Sequence, residues 1–395
     1  MQSLKELYRI GKGPSSSHTI APERACKFFL KENPTADAFK VILYGSLAKT
    51  GIGHGTKEVV KSVLANVEIV EAEEEISAHP NTMDLIAYQN GKEIAEMRVY
   101  SVGGGAFRVE GRENTEGASV YPLSTFTEIK QYCEEKSVRL PDYVLECEGE
   151  QILSYLKKVW SKMQSSIEEG LHANGVLPGG LQVERKAGVL YGGGDLFEKA
   201  ETRENRIVCA YAFAVSEQNA SNGTIVTAPT CGASGVLPAV LKYLQGRDKY
   251  SEEDIVRALA TAGLIGNLIK KNASISGAEC GCQAEIGSAC CMAAAAICEL
   301  KGMSLDQIEY AAEVAMEHHL GLTCDPIMGL VQIPCIERNA VAAMRAINAA
   351  NLAEFLSGSR KISFDMVVKT MYETGKDLSN RYRETAEGGL AKLYK

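Results

Sequence analysis

Three cysteines in the second half of the chain stand in loop contexts that suit metal or redox chemistry. Cys282 follows a glycine where a helix is predicted to open, Cys324 precedes an Asp-Pro pair, and Cys335 follows a proline. Their spacing matches neither a zinc knuckle nor a ferredoxin run. Free cysteine also packs as a small apolar residue, which is the role we predict for Cys290 and Cys291. The spacing alone therefore leaves two interpretations open for Cys282, Cys324 and Cys335: ligands for metal or redox chemistry, or small buried apolar residues.

Histidines in glycine- and serine-rich loops supply candidate bases for work near neutral pH. His18 lies in GPSSSHT (13–19), His54 lies between two glycines after a predicted strand, and His79 precedes Pro80. The loop around His54 lacks the Walker spacing, so no nucleotide role is expected. The alternative for His54 and His79 is a solvent-exposed turn without chemistry.

Hydroxyl and amide side chains crowd several of the same loops. Ser15, Ser16 and Ser17 either leave backbone amides open to an anion or cap the following helix. A second group consists of Ser101 before three glycines, Asn219 and Thr230 in the loop 218–235, and Ser274 in the loop 272–282. Such groups recognise a small polar molecule without adding net charge.

Strand and helix signals alternate in the first 110 residues. Asn90-Gly91 between two β-rich runs predicts a hairpin, because both turn residues need positive φ. The other predicted segments here are helices at 21–31 and 57–65 and strands at 39–44, 67–70, 85–89 and 94–102. After about residue 122 helical periodicity dominates, with helices predicted at 151–171, 204–218, 252–270, 284–300, 304–319 and 335–350.

These patterns predict an α+β protein of two domains. Residues 1–122 would form a small sandwich-like α/β domain, and residues 123–395 a mainly helical catalytic domain. Ser304 and Gln307 form a capping-box pair at one predicted helix start. The boundary falls in the polar, turn-rich stretch 111–127.

Composition excludes several classes of function. The 395 residues carry a net charge of −8, which gives no electrostatic footprint for nucleic acid or an anionic membrane. No apolar stretch is long enough to span a bilayer, and the first residues lack the apolar region of a signal peptide. With 12 cysteines and no secretory context, we expect a cytoplasmic protein without a disulfide framework.

Read together, these segments resemble the iron–sulfur-dependent L-serine dehydratases, also called L-serine ammonia-lyases. The resemblance covers nearly the whole chain and follows the order of motifs in that family. The matching motifs are GPSSSHT, YGSLAKTGIGHGT, HPNT, SVGGGAF, NASNGTIVTAPT, SISGAECGCQAEIGSACCMAAAA and LTCDPIMGLVQIPCIERNA. The first domain is similar to the β-type domain of the family and the second to the α-type domain.

The resemblance implies a 4Fe-4S cluster held by Cys282, Cys324 and Cys335, with one iron open to substrate. It implies conversion of L-serine to pyruvate and ammonia by a homodimer, in a site between the two domains. It places His54, His79, Ser101 and Thr230 near the reacting centre, with His18 beside them. Either His54 or His79 would be the base. Ser15, Ser16, Ser17, Asn219 and Ser274 would contact the substrate. The chain has no cysteine after Cys335, so inhibition by a cysteine-containing tail is not expected.

Three other functions remain open at this stage. The same scaffold could act on L-threonine or L-cysteine, which share the α-proton and β-leaving group of serine. A pyridoxal-phosphate lyase would use Lys49 as its Schiff base and the glycines 192–194 for phosphate, but leaves the cysteines unexplained. A non-catalytic amino-acid sensor would hold zinc in place of the cluster.

Overall fold

Seven strands occur in the residues that the computed structural model describes, which are 1–49, 54–74, 76–112, 117, 119–195 and 197–394. They are β1 Ile10–Lys12, β2 Ala38–Leu43, β3 Val67–Glu71, β4 Thr82–Gln89, β5 Lys92–Ser101, β6 Phe107–Val109 and β7 Thr224–Val226. Five form one sheet of order β3-β2-β4-β5-β6, in which β2 and β3 are parallel and the other neighbours antiparallel. Asn90 and Gly91 have φ of 50° and 75°, which confirms the predicted hairpin.

Helices make up most of the rest of the chain. They are α1 Ala21–Glu32, α2 Gly45–Lys49, α3 Thr56–Val63, α4 Phe126–Lys136, α5 Leu140–Glu148, α6 Gln151–His172, α7 Ala187–Gly192, α8 Ala200–Ala220, α9 Val236–Asp248, α10 Glu252–Asn272, α11 Gly277–Cys280, α12 Ser288–Leu300, α13 Leu305–Glu317, α14 Cys335–Leu356, α15 Phe364–Asp377 and α16 Gly389–Leu393. The α+β class, with a small sheet domain before a mainly helical one, is confirmed. No helix in the described ranges is long and apolar enough to cross a bilayer.

Helices α1 and α3 cover one face of the five-stranded sheet. Phe29 of α1 and Val60 of α3 pack against inward-facing sheet residues such as Val41, Leu85 and Val99, all buried. Residues two apart on a strand share a face, so the alternating burial along β2 follows from its apolar pattern. This two-layer unit holds the loops of His18, His54 and His79.

The first residues of the chain pack in the helical part rather than against the sheet. Leu4, Leu7 and Tyr8 are fully buried in the same core as the central helices. β1 pairs antiparallel with β7, which follows α8. The chain thus enters the helical body, leaves it to form the sheet unit, and returns. The division near residue 122 stays a prediction.

Helix α12 lies at the centre of the helical part. Every residue from Ser288 to Glu299 is buried, and α9, α10, α13 and α14 pack around it. Its alanines let these neighbours approach closely, since they add little volume between the backbones. Cys290 and Cys291 are fully buried here, as predicted for core cysteines.

Several local predictions are confirmed and one is wrong. Ser304 and Gln307 form the predicted capping box at the start of α13. The segment 45–56 was expected to be a loop, but Gly45–Lys49 is a short helix; its residues 50–53 lie outside the described part. The predicted helix 284–300 begins with one wider turn, Gln283–Gly287, before α12.

Candidate active site

A buried cavity between the sheet unit and the helical part contains three of the predicted site cysteines and one histidine. Pro14, Ser15 and His54 reach it from the N-terminal side. The helical side supplies the rest of its lining, which is Gly232, Cys282, Glu285, Cys324, Pro326, Val331, Cys335 and Glu384. Residues from both ends of the chain therefore meet in one space.

Local structure gives each of the three thiols its position. Cys282 lies just before the wider turn that leads into α12, and Cys335 is the first residue of α14, after Pro334. Cys324 is in an extended segment paired with the C-terminal tail: its N–H donates to Tyr382 O at 2.8 Å, and its carbonyl accepts from Glu384 N at 2.9 Å.

The thiols differ in acidity because of their mutual contact. A hydrogen bond with Cys324 lowers the pKa of Cys282 to about 6 despite burial, and Arg338 acts in the same direction. The same contact, together with burial, raises the pKa of Cys324 well above its usual value. One thiolate next to thiols and a guanidinium is a donor set that suits a metal, since the thiolate is the metal ligand.

The three thiols are not gathered at the spacing of a single zinc site. Three thiolates on one tetrahedral zinc lie ~3.8 Å apart, given a Zn–S bond of about 2.3 Å. Among the described residues, the group of three ligating side chains gathered within 4.8 Å is His18, His54 and Glu384, not the three cysteines. Cys282 and Cys324 are in contact with each other, so Cys335 is the more distant of the three thiols. The single-zinc sensor is therefore disfavoured.

Glycine at position 277 allows Glu285 and Cys324 to pack closely against the backbone. A Cβ there would lie 2.7 Å from Glu285 Oε2 and 3.4 Å from Cys324 Sγ. Arg338 adds positive charge on the other side: it donates to Thr323 O at 2.5 Å and lies 3.6 Å from Asp325. Three sulfur donors lining one cavity and a compensating cation fit an iron–sulfur cluster.

His54 is fully buried, and neither ring nitrogen has a hydrogen-bond partner in the described structure. Burial lowers its pKa to about 4, so the ring is neutral at pH 7. The interpretation of His54 as a solvent-exposed turn residue is wrong, because its side chain is fully buried and lines a cavity with residues of the helical part. A neutral, unpartnered imidazole in a cavity can accept a proton from a bound molecule.

His18 lies beside His54 but is held by neighbours. The ring centroids are 4.3 Å apart at 85°. His18 Nδ1 contacts Ser15 Oγ at 3.1 Å and Ser17 Oγ at 3.0 Å, and Nε2 faces Ser46 O at 3.3 Å. Because a carbonyl only accepts, this network assigns the proton of the neutral ring to Nε2. Burial, and then His54, lowers the pKa of His18 well below its usual value. His18 is therefore positioned as a supporting group.

His79 lies outside the cavity lining. Its Nδ1 accepts the backbone N–H of Asn81 at 3.0 Å, and the side chain is 8% exposed. The exposed-turn interpretation is therefore wrong for His79 as well. Ser274, also outside the lining, donates to Glu279 at 2.5 Å. Burial lowers the pKa of His79, while Glu279 acts in the opposite direction.

The other predicted site residues are buried around the cavity with defined partners. Ser101 donates to Ser17 O at 2.8 Å, and Thr230 donates to Glu285 Oε1 at 2.7 Å. Asn219 donates to Pro14 O at 2.8 Å. Ser16 is also buried, one residue from the cavity-lining Ser15. Of these contacts, the one from Asn219 to Pro14 joins the helical part to the N-terminal segment.

Lys49 does not occupy a cofactor position. Its side chain is 40% exposed and forms an ion pair with Glu387 at 3.0 Å. A Schiff-base lysine is instead shielded with its cofactor, so the pyridoxal-phosphate alternative has no support in the geometry.

Sequence reasoning missed two buried carboxylates in the cavity. Glu285 and Glu384 line it together with the thiols. Burial raises the pKa of both, to about 7 for Glu384, with Cys282 adding to the effect there. Glu285 could have been noted three residues after Cys282. Nothing near Glu384 in the sequence signals burial.

Two protein families match this chain. The family described as "Serine dehydratase alpha chain" matches residues 56–391, and "Serine dehydratase beta chain" matches residues 3–69. The chain belongs to the serine dehydratase family. These two matches overlap at residues 56–69.

Relatives in this family match over almost their full length. The L-serine dehydratase of Streptomyces coelicolor is 42% identical, with 98% of each chain covered. L-serine dehydratase 1 of Escherichia coli is 40% identical, with 99% of each covered, and the Helicobacter pylori enzyme is 36% identical, with 100% of this chain and 99% of the relative covered. The alignments span 453, 448 and 456 positions, whereas this chain has 395 residues, so each relative has residues without a counterpart here.

Proposed function

We propose that this protein is an L-serine ammonia-lyase that converts L-serine to pyruvate and ammonia. The observation that carries the proposal is the buried cavity in which an unpartnered neutral histidine faces three thiols. Family membership and relatives named L-serine dehydratase across full-length alignments support the substrate.

We propose Cys282, Cys324 and Cys335 as the ligands of a 4Fe-4S cluster. Their shared cavity and the adjacent Arg338 support this assignment. When bound, such a cluster supplies a Lewis acid that makes the β-hydroxyl of serine a better leaving group.

The residues of the chain would handle the proton and hold the substrate. His54 accepts the α-proton of serine, because burial keeps its ring neutral and able to take up a proton at pH 7. His18, held by its serines, keeps the His54 ring in place through the edge-to-face contact. Loss of the α-proton and of the hydroxyl gives aminoacrylate, which tautomerises to the imine and takes up water. The balance is one serine to one pyruvate and one ammonia.

The buried site would also exclude bulk water during the elimination. Ser101 and Thr230 would fix the loops that close the cavity, through their bonds to Ser17 and Glu285. A dry site strengthens every polar contact within it. The homodimer and the cytoplasmic location stay predictions; light scattering of the purified protein tests the first.

The test is pyruvate formation from L-serine by anaerobically purified, iron-reconstituted protein. We expect activity that collapses in air and returns with iron and reductant. Air-stable activity of metal-free protein would overturn the cofactor proposal. Absence of pyruvate from fully iron-loaded protein would overturn the activity, and a panel with L-threonine and L-cysteine would then identify the substrate.

A further inference from the structure

A glutamate from the C-terminal tail lies deep in the cavity, where the proposed reaction does not yet use it. Glu384 is 7% exposed, and its side chain lines the same space as His54 and the three thiols. We infer that Glu384 binds the α-ammonium group of the substrate and selects amino acids over the corresponding amine-free acids. The inference rests on the proposed function and deepens it.

Backbone contacts from both parts of the protein fix Glu384. Its N–H donates to Cys324 O at 2.9 Å, and its carbonyl accepts from Ser46 Oγ at 3.3 Å. Its φ is 59°, a left-handed conformation that a residue with a Cβ adopts only when its surroundings impose it. The carboxylate is therefore pre-positioned, so little ordering is needed when a ligand binds.

The carboxylate lacks a permanent cation. Within the described residues no lysine or arginine nitrogen lies within 4.0 Å of it, and its one ion-pair contact is His18 Nδ1 at 4.0 Å. His18 is neutral near pH 7, as shown above. The Glu384 carboxylate accepts a hydrogen bond from the backbone of Ala278 but has no counter-charge. A buried charge without a counter-charge is costly, and a bound ammonium group would supply that charge.

The distance from Glu384 to the base suits an α-amino acid. The ammonium and the α-hydrogen are attached to the same carbon, so the base nitrogen and the ammonium acceptor should lie about 4–6 Å apart. One ligating atom each from His18, His54 and Glu384 falls within 4.8 Å of the others. A substrate with its ammonium on Glu384 thus presents its α-hydrogen to His54.

Glu285 is the other buried carboxylate and is less suited to this role. It already accepts the Thr230 hydroxyl at 2.7 Å, and its oxygens face Gly232 and Gly277 closely. Glu384, in contrast, is the carboxylate next to the two histidines. Glu285 therefore organises the loops, whereas Glu384 is available to a ligand.

The experiment compares two unreactive ligands that differ only in the ammonium group, L-alanine and propanoate. Their dissociation constants are measured by calorimetry with the anaerobic, iron-loaded full chain as wild type, Glu384→Gln and Glu387→Gln. Glu387 is a matched control because it is exposed and lies in the same segment. Iron content and thermal melting are checked in each variant.

We expect wild type and Glu387→Gln to prefer L-alanine, and Glu384→Gln to lose about 10–100-fold in L-alanine binding while propanoate binding changes less than threefold. The same variant should raise KM for L-serine. An unchanged preference in Glu384→Gln, equal losses for both ligands, or no preference in wild type would each overturn the inference. If Glu384→Gln does not fold, Glu384→Asp provides the second test. This variant keeps the negative charge but places the carboxylate farther from the ligand, and it should lose part of the preference for L-alanine over propanoate.

This design separates the two proposals. Calorimetry with unreactive ligands reports on Glu384 whether or not the protein forms pyruvate. Failure of wild type to make pyruvate from L-serine would overturn the proposed function alone.

Discussion

Replacing His54 with glutamine tests the assignment of the base. Neither ring nitrogen of His54 has a hydrogen-bond partner in the described structure, so the substitution leaves no protein group unpaired. Glutamine also approaches the volume of histidine, so we expect a stability change below about 1.5 kcal/mol. Loss of a general base costs about 10²–10⁴ in rate, which corresponds to about 2.8–5.6 kcal/mol at 1.4 kcal/mol per tenfold.

The assay is kcat for pyruvate formation, with iron content and thermal melting measured on the same preparation. His79→Gln is the comparison, since His79 lies outside the cavity lining and should lose less than tenfold. Solvent deuterium incorporation at Cα of recovered L-serine reports proton abstraction independently. Near-normal kcat in iron-loaded His54→Gln, together with a large loss in His79→Gln, would refute the assignment.

Three further predictions concern the cluster ligands, helix packing and pH. Cys324→Ala should lose bound iron, visible absorbance and activity together; full iron content would remove it from the ligand set. Gly170→Ala would place a Cβ 2.2 Å from Ala214 O and should destabilise the fold by about 1–3 kcal/mol, whereas Gly246→Ala, with nothing within 4 Å, should not lower the melting temperature. Burial raises the pKa of Glu313 to about 7, so stability should fall as pH rises from about 4.5 to 7, by up to about 3 kcal/mol. Glu313→Gln should remove that fall in thermal melts at pH 5 and pH 8, and an unchanged pH dependence would contradict it.

Local patterns predicted much of the fold. Helical periodicity located α6, α8, α10, α13 and α14 to within a few residues at most ends, and the Asn90-Gly91 turn identified the hairpin. These features depend on neighbours in sequence, so the sequence carries them directly. Helices α4, α5, α9 and α15 were not assigned.

The sequence did not predict the long-range contacts. β1 has three residues, and its partner β7 lies more than 200 positions later. No local pattern reveals such a pairing, so the first residues were placed with the sheet unit although they also pack in the helical core.

The candidate site likewise combines residues that the sequence indicates with one that only long-range contacts place there. Cysteines and histidines are rare enough to be noticed, and the structure brings His54, Cys282, Cys324 and Cys335 to one cavity. The sequence did not indicate Glu384 as a site residue, because a single glutamate in a charged segment is typical of a solvent-exposed position. Its burial depends on contacts with Cys324 and Ser46.

The participation of both chain ends in the cavity has a consequence for biosynthesis. Pro14 and Ser15 line it from near the first residue, and Glu384 from near the last. During translation, β1 cannot pair until β7 has been synthesised. The cavity cannot form until the segment around Glu384 has left the ribosome. Contacts between such distant segments form late, because the loop between them must close first. The proposed cluster should therefore load only after Glu384 has left the ribosome, and nascent chains stalled before that residue should accumulate without iron.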